Sequence, residues 1–479
     1  MRYDIKLDLS HFNINNKHEM PLYRQLYYRF QEAIATENLK PGDRVPSVRS
    51  LANELNIAKG TIEQAYEMLV SEGYFTTHGA AGTIVSKQVS LIPKISKQTI
   101  IKSHEKNNFF SQGREIEISP FQIGIPAFDL FPNKTWNRLL KNNLHKLETT
   151  IMAKTDPNGY EPLRQEIANY LGISRGISCT AEQVFITTGY SATLQLICHT
   201  LLKHGDLGWY EDPGYPFARK LLEHSGMRLL PVHVESDGLD ISLGKKIGLN
   251  ARFAVVTPTH QSPSGVTLSL AKRLELLEWA TQQNSWIIED DYDSEFKYHG
   301  RPLPALKSLD INDRVLYAGT FSKVIFPGLR LAYLVVPKSQ VSQFQYSASY
   351  CRVLGSTLYE ATTADFMNQG YFLRHLQKMR SSYALRYDYV KKALIELEDD
   401  LQIKPQIGGI QILAHLKHNM NDIKIAMKAK SHGLSIEPLS NWYIKNSSSK
   451  PGLILGFNNF STIKETENAV ARLALSIRS

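Results

Sequence analysis

The first candidate for chemistry is a lysine that lies among small hydroxyl residues, just past a predicted β-strand. Residues 318–330 read AGTFSKVIFPGLR, so Lys323 follows Thr320 and Ser322, and Arg330 comes seven residues later. A lysine amine can form an imine with an aldehyde cofactor, and hydroxyl groups with an arginine can bind the phosphate of such a cofactor. A solvated loop lysine is the alternative, because a serine followed by a lysine is common.

An acidic run that precedes this lysine supplies a second group. The segment SWIIEDDYDSEF begins as a strand, and Asp290 and Tyr292 lie at its end. A carboxylate there can keep a pyridine nitrogen protonated, which makes the ring an electron sink, and Tyr292 can contact the phenolic oxygen. The alternatives are oxygen ligands for Mg²⁺ or Ca²⁺, or a solvated turn. The glycine-centred Ca²⁺ loop pattern is absent, so we expect no metal.

Three further strand-end loops carry residues that suit the same site. TTGYSATLQL places Tyr190 and Ser191 between a strand and a helix, where N–H groups favour a phosphate. EDPGYP supplies Tyr215 as a ring wall or hydroxyl, and TPTHQSPSG supplies Gln261 beside His260, which is as readily a structural histidine. Together these residue types match the needs of pyridoxal phosphate: a lysine, a carboxylate, phosphate donors and a flat wall.

The elements that must position these residues form an alternating pattern from about residue 118 onward. Short apolar runs such as QVFITTG, LGWYED and RVLYAGT read as strands, and ATLQLICHTLLKHG and LAKRLELLEWATQQN read as helices. This alternation predicts an α/β fold with a mostly parallel sheet and helices on both faces. Ligands of such sheets bind beyond the carboxyl ends of the strands, where the candidate residues lie.

Residues 1–86 show three helical patterns and a hairpin-like end. Leu22, Leu26, Phe30 and Ile34 form one apolar stripe, and the turn IAKG joins VPSVRSLANELN to TIEQAYEMLVSEG. YFTTHGAAGTIVS then predicts a two-stranded wing. The order predicts a winged helix-turn-helix that reads the major groove of double-stranded DNA, and a plain three-helix bundle is the alternative. The expected DNA contacts are Arg44, Ser47, Arg49, Lys59, Thr61, Gln64 and Gly82.

Length and composition exclude several classes of protein. A chain of 479 residues predicts more than one domain, and 42% hydrophobic residues allow a large core. The three cysteines fit neither a zinc site nor a disulfide framework, which favours the cytoplasm. No apolar run reaches the ~18–20 residues of a membrane span, so we expect no membrane partner. The net charge is +9, but residues 1–86 hold nine Lys and Arg against ten Asp and Glu, so charge alone predicts no DNA binding there.

Two long stretches carry a family resemblance. GDRVPSVRSLANELNIAKGTIEQAYEMLVSEGYFTTHGAAGTIV resembles the DNA-binding domain of the GntR family of bacterial regulators. DPNGYEPLRQEIANYL, EDPGYP, HQSPSG, IIEDDYDSEF and GTFSKVIFPGLRLAYLVVP resemble fold-type I aminotransferases, in the order that family uses. The combination is similar to the MocR/GabR subfamily of regulators.

Composition and resemblance together give a domain plan. Residues 87–117 are polar and lysine-rich, show no sustained period and are predicted to be a linker. The resemblance implies a winged helix-turn-helix in residues 1–86 and a fold-type I domain that binds pyridoxal phosphate in 118–479. A small C-terminal α+β subdomain begins at about residue 370. The resemblance also implies a homodimer with cofactor sites near the subunit interface. The two DNA-binding heads of such a homodimer address paired half-sites.

Two departures from the enzymes bear on function. Aminotransferases of this fold bind the substrate α-carboxylate with an arginine in the small domain, but residues 387–471 contain none. Asn441 stands where amino-acid-sensing members tend to carry it, and Ser262 replaces the asparagine that enzymes place before the Pro–Thr–Gly motif. We therefore expect a regulator, with no catalytic residue, in which pyridoxal phosphate, bound as an imine to Lys323, is the effector.

Such a regulator is similar to the PdxR-like branch, which controls vitamin B6 synthesis genes. Three alternatives stay open. One is a regulator that responds to an amino acid through the cofactor. Another is an active aminotransferase with a vestigial head, and the last is a repressor whose large domain has lost its cofactor and only dimerises.

Overall fold

The computed structural model describes residues 20–79, 82–91, 118–146, 156–298, 303–351, 355–403, 408–418, 420–444 and 450–478. The chain divides into two compact units, residues 1–114 and 115–479. Residues 87–91 of the predicted linker form a short 3₁₀ turn, and the rest of that linker lies outside the described residues.

The N-terminal unit consists of three helices and a wing. Its elements are α1 (Leu22–Ala35), α2 (Val48–Leu55), α3 (Lys59–Ser71), β1 (Phe75–Thr77) and β2 (Thr83–Val85), with β1 and β2 antiparallel. Leu26, Phe30 and Ile34 of the predicted stripe are buried, and the Phe30 ring meets Tyr66 and Phe75 edge to face. The wing confirms the winged helix-turn-helix and excludes the plain three-helix bundle.

An eight-stranded sheet organises the C-terminal unit. Its strands are β3 (Val184–Thr187), β4 (Leu207–Asp212), β5 (Arg228–Glu235), β6 (Gly238–Leu239), β7 (Phe253–Val256), β8 (Trp286–Asp291), β9 (Val315–Thr320) and β10 (Ala332–Val335). Their spatial order is β3-β10-β9-β8-β7-β4-β5-β6. The strands from β9 to β5 run parallel, and β10 and β6 are antiparallel to their neighbours. The predicted mostly parallel sheet is confirmed.

Helices connect and cover these strands. They are α4 (Asn133–His145), α5 (Glu161–Arg175), α6 (Tyr190–Leu201), α7 (Pro216–His224), α8 (Ile241–Gly248), α9 (Leu270–Gln282), α10 (Val341–Cys351), α11 (Thr357–Asn368) and α12 (Tyr371–Ala393). Ser269 caps α9 by accepting a hydrogen bond from the Lys272 N–H, and α5 is terminated by Gly176, the residue after its end, whose φ is +70°. None of the described helices is long and apolar enough to cross a membrane.

The end of the chain forms a small α+β region. An antiparallel sheet has the order β11-β12-β14-β13, and two helices accompany it. Its elements are β11 (Leu401–Ile403), β12 (Gln411–Leu416), α13 (Asp422–Ser431), β13 (Glu437–Pro438), β14 (Gly452–Gly456) and α14 (Ile463–Arg478). This is the small C-terminal subdomain that the sequence predicts.

Candidate functional site

A cavity of about 470 Å³ lies at the carboxyl ends of the central strands. The sequence predicts ten residues as cofactor contacts, and nine of them line this cavity. The lining residues are Ile123, Gly124, Ile125, Gly189, Tyr190, Ser191, Tyr215, Phe217, Ser262, Asp290, Tyr292, Thr320, Ser322, Lys323, Pro327, Arg330, Ile410, Gln411 and Trp442. A volume of ~300–1,000 Å³ is usual for a small-molecule site.

The Lys323 amine has a defined position in this cavity. Its Nζ donates a hydrogen bond to the Gly124 carbonyl oxygen at 2.7 Å. Gly124 has φ +80°, and a Cβ atom there would come within 2.9 Å of Nζ. Burial lowers the pKa of Lys323 to about 8, although Asp293 and Asp290 partly oppose it. A useful fraction of the amine is therefore unprotonated near neutral pH, as attack on an aldehyde requires.

The Asp290 carboxylate lies on the central strand β8 and is only 8% exposed. Burial raises the pKa of Asp290 to about 7, the Tyr190 hydroxyl opposes this shift, and the charges of Asp291, Glu211 and Asp293 add to it. No ion pair with Asp290 occurs within the described residues. A buried carboxylate without a cation is unfavourable, and a protonated pyridine nitrogen would supply that cation.

The other end of the cavity suits a phosphate group. Helix α6 begins at Tyr190, directly after Gly189 with φ +99°, so its free N–H groups face this end. A Cβ atom on Gly189 would lie 3.4 Å from Arg330 Cζ, which places the guanidinium against the same turn. Thr320 Oγ1 accepts a hydrogen bond from the Ser322 N–H at 3.1 Å and shapes the loop before Lys323. A helix N-terminus beside an arginine is a favourable phosphate site.

Aromatic side chains form a wall of the cavity. The Tyr215 ring centroid lies 5.8 Å from that of Trp442 and 6.4 Å from that of Phe217. Asn441, the candidate effector contact, is exposed, and Trp442 lines the cavity in its place. The main-chain carbonyl oxygen of Asn441 accepts a hydrogen bond from the Arg219 guanidinium at 3.4 Å.

Gln261 is placed differently from our expectation. Its amide nitrogen donates to the Glu211 carboxylate at 3.1 Å and to the Pro213 carbonyl at 2.9 Å. Its Oε1 accepts from the Ser264 N–H at 3.0 Å. These bonds hold Gln261 in the framework of its loop, and Ser262, the next residue, lines the cavity instead.

The acidic run around Asp290 has partners inside the protein. Asp291 lies 3.1 Å from Arg175 Nε, and Asp293 lies 3.0 Å from His260 Nδ1. Within the described ranges, no group of three or more His, Cys, Asp and Glu residues has the arrangement of a metal site.

Sequence reasoning missed several residues of the lining, among them Ile123, Gly124, Ile125 and Gln411. Ile123, Gly124 and Ile125 precede the first helix of this unit, and Gln411 begins β12. These segments show no period of their own that would mark a site. A glycine between two isoleucines was the one local signal at residues 123–125.

The expected DNA contacts lie on the surface of the N-terminal unit. Lys59 is the first residue of α3 and pairs with Glu63 at 3.1 Å. A Cβ atom on Gly82 would lie 2.9 Å from Arg44 Nη2, so the wing packs on that guanidinium. Ser47 caps α2 by accepting from the Ser50 N–H at 3.1 Å. All seven expected contacts are exposed or partly exposed: Arg44, Ser47, Arg49, Lys59, Thr61, Gln64 and Gly82.

Comparisons with known proteins agree with this division. Residues 22–85 match the gntR family of bacterial regulatory proteins, and residues 121–447 match aminotransferase class I and II. The multiple substrate aminotransferase of Thermococcus profundus has a similar structure, with a TM-score of 0.68 and 24% identity over 76% of this chain and 92% of that one. An archaeal alanine:glyoxylate aminotransferase gives a TM-score of 0.70 and 25% identity over 76% and 91%.

Relatives of full length share both parts. The probable rhizopine catabolism regulatory protein MocR of Rhizobium meliloti is 33% identical over 475 residues, which cover 96% of this chain and 95% of that protein. The pyridoxine biosynthesis transcriptional regulator PdxR of Corynebacterium glutamicum is 30% identical over 448 residues, or 93% and 94% of the two chains. The chain therefore belongs to the MocR-type transcription regulators, in which a GntR helix-turn-helix domain is fused to a class I and II aminotransferase domain.

Proposed function

We propose that this regulator binds pyridoxal phosphate through an imine with Lys323 and responds to the cofactor itself. The observation that carries the proposal is one cavity that joins an amine, a buried carboxylate and a phosphate-type terminus at Lys323, Asp290 and Arg330. In the proposed linkage, the Lys323 nitrogen adds to the aldehyde carbon and water leaves, so a C=N bond replaces the C=O bond. No oxidant or further reactant is needed.

The charges in the cavity favour the cofactor over an amino acid as the effector. Arg330 lies at the N-terminus of α6, where a phosphate would occupy it, and the described lining offers no second arginine for an α-carboxylate. Arg219 donates to the carbonyls of Tyr443 and Asn441. A carboxylate in the rest of the cavity would lack the bidentate partner that it usually finds in proteins. The same argument disfavours transamination.

Control of vitamin B6 synthesis genes follows from this choice of effector. The rhizopine and pyridoxine regulators resemble the chain to a similar degree, at 33% and 30% identity, so likeness alone does not select a regulon. A regulator that binds the end product of B6 synthesis is suited to control of that synthesis.

Regulation further requires that the cofactor distinguishes two states of the protein. We infer a homodimer with a head in residues 1–86, a linker in 87–117 and a core in 118–479, whose two heads bind paired half-sites. The cofactor can change DNA binding only if its affinity differs between two arrangements of those heads.

The test uses the full chain and the variant Lys323→Ala. Selection from random duplexes yields the operator, whose affinity is then measured with and without pyridoxal phosphate. Borohydride reduction followed by mass spectrometry locates the adduct. Lys245→Ala is the matched control, because Lys245 pairs with Glu275 at 2.9 Å and lies outside the cavity lining.

We expect an adduct on residue 323 and a cofactor-dependent affinity in the wild type and the control, and neither in Lys323→Ala. An unchanged cofactor response in Lys323→Ala would overturn the proposal. Conversion of the bound aldehyde to the amine form by amino acids would instead identify an aminotransferase. A selected operator that lies upstream of genes other than those of B6 synthesis would refute the regulon.

A further inference from the structure

His260 and Asp293 form a histidine–aspartate pair, and neither side chain belongs to the lining of the large cavity. His260 Nδ1 lies 3.0 Å from Asp293 Oδ2 and 3.2 Å from the Tyr292 hydroxyl oxygen. The Asp293 side chain is 1% exposed and that of His260 is 13% exposed. Tyr292 lines the large cavity together with Lys323. The pair is therefore joined to the candidate cofactor site through one hydroxyl group.

A second, smaller cavity of about 60 Å³ has His260, Asp293 and Thr259 in its lining. His260 Nε2 and Thr259 Oγ1 are both buried and have no hydrogen-bond partner in the described part of the chain. A cavity of this volume holds at least one water molecule, which occupies roughly 30 Å³. Such a water can accept from Nε2–H, so both ring nitrogens of His260 can carry a proton.

The Asp293 carboxylate acts on two groups at once. Burial lowers the pKa of Lys323, and of the carboxylates that oppose this shift Asp293 acts more strongly than Asp290. Burial also lowers the pKa of His260, but Asp293 outweighs it with help from Asp291, and the net shift is upward. A negative charge on Asp293 therefore stabilises a proton on either nitrogen.

The remaining charged groups near His260 do not replace this carboxylate. Asp291 is held by Arg175 at 3.1 Å, and Lys297 lines the smaller cavity. Tyr292 is neutral, since burial raises the pKa of its hydroxyl well above the usual value. Asp293 is thus the anion that the histidine and the lysine share.

We propose that His260 and Asp293 are a positioning pair that sets how firmly the Lys323 nitrogen holds its proton, in the free amine and in the cofactor imine. When His260 is protonated, it compensates the Asp293 charge, and the lysine nitrogen loses its proton more readily. When His260 is neutral, the uncompensated carboxylate holds that proton. The proposal rests on the proposed function for its effect on the cofactor, and only protons exchanged with water are involved.

The test compares Asp293→Asn and His260→Gln in the full chain, with two measurements. The first is the pH titration of the visible absorbance of the chain loaded with pyridoxal phosphate. The second needs no cofactor: the pH dependence of trinitrobenzenesulfonate labelling of Lys323, followed by mass spectrometry. His432→Gln is the matched control, because His432 contacts Ser476 at 2.8 Å and lines neither cavity.

We expect opposite shifts of the pH midpoint. Asp293→Asn removes the anion and lowers the midpoint by about one unit, and His260→Gln leaves the anion uncompensated and raises it by a similar amount. The double variant has the same pH midpoint as Asp293→Asn, because His260 has no negative charge to compensate once the Asp293 carboxylate is removed. The control leaves the midpoint unchanged.

Shifts in the same direction, or no shift, would overturn the pair, because a purely structural role predicts no opposition of sign. If Asp293→Asn lowers the pH midpoint and His260→Gln leaves it unchanged, His260 has no part in the pair, and the proposal as stated is overturned. A wild-type chain without an imine absorbance would refute the proposed function, while the labelling of Lys323 would still decide the inference.

Discussion

Replacing Gly124 by alanine is expected to displace the Lys323 amine while leaving the fold intact. The Gly124 carbonyl accepts the hydrogen bond from Nζ, and the backbone there has φ +80°. A methyl group on Gly124 would lie 2.9 Å from Nζ, closer than the ordinary contact of 3.4 Å or more. Because Nζ ends a flexible side chain, the amine moves rather than the backbone.

Gly124→Ala has two expected effects, a loss of stability and a slower imine formation, and a control variant separates them. An L-residue in the left-handed region costs ~1–2 kcal/mol, so we expect that loss in the free energy of unfolding. Gly370 has a similar φ of +73°, and a Cβ atom there meets nothing within 4 Å. Gly370→Ala thus carries the backbone cost alone. The displacement of about 0.5 Å belongs only to Gly124→Ala, and since a misplacement of ~1 Å can cost ~10²-fold in rate, we expect about a tenfold slower imine formation.

The assay is stopped-flow absorbance after mixing each cofactor-free chain with pyridoxal phosphate at neutral pH. Denaturant unfolding of the same samples gives the stability. Similar losses of stability with a slower reaction only in Gly124→Ala are expected. If the two variants react at the same rate, the Lys323 amine does not react from its position at the Gly124 carbonyl, and the reasoning fails.

Three further predictions concern pH, phosphate and DNA. The rate of imine formation should rise with pH and level off near 8 rather than near 10.5, because the free-amine fraction of Lys323 at neutral pH is then about 300-fold that of an ordinary lysine; a rise that continues to pH 10 would contradict the lowered pKa. Arg330→Ala should weaken the binding of pyridoxal phosphate by roughly 10–100-fold and leave the binding of pyridoxal unaffected, with Arg219→Ala as control. Equal losses of affinity for both compounds would exclude a phosphate contact. Arg49→Ala should reduce the slope of log affinity for DNA against log salt by about 1, and an unchanged slope would argue against a phosphate contact.

Patterns within short segments were enough for the two-part architecture. The apolar stripe of α1 and the glycines around the wing report local helix and turn geometry, which depends little on distant residues. Lys323, Asp290 and Tyr190 could be grouped in advance, because the carboxyl ends of neighbouring strands meet at one edge of a sheet.

The sequence pattern did not predict which of two adjacent loop residues lines the cavity. The sequence predicts Gln261 at the cavity, but its amide donates to Glu211 and Pro213, and Ser262 lines the cavity. Trp442 likewise lines the cavity, whereas its neighbour Asn441, the candidate effector contact, is exposed. A loop has no fixed period, so adjacent side chains point in directions that only its surroundings decide.

The amino-acid sequence by itself determined the order of the elements and the types of group at their ends. The tertiary structure alone decided which of those groups meet: Gly124 lies 199 residues from Lys323, and Asp293 lies 33 residues from His260. Such contacts depend on how the whole core packs, because burial and neighbouring charges, which set the pKa of a buried amine or carboxyl, come from segments distant in the chain.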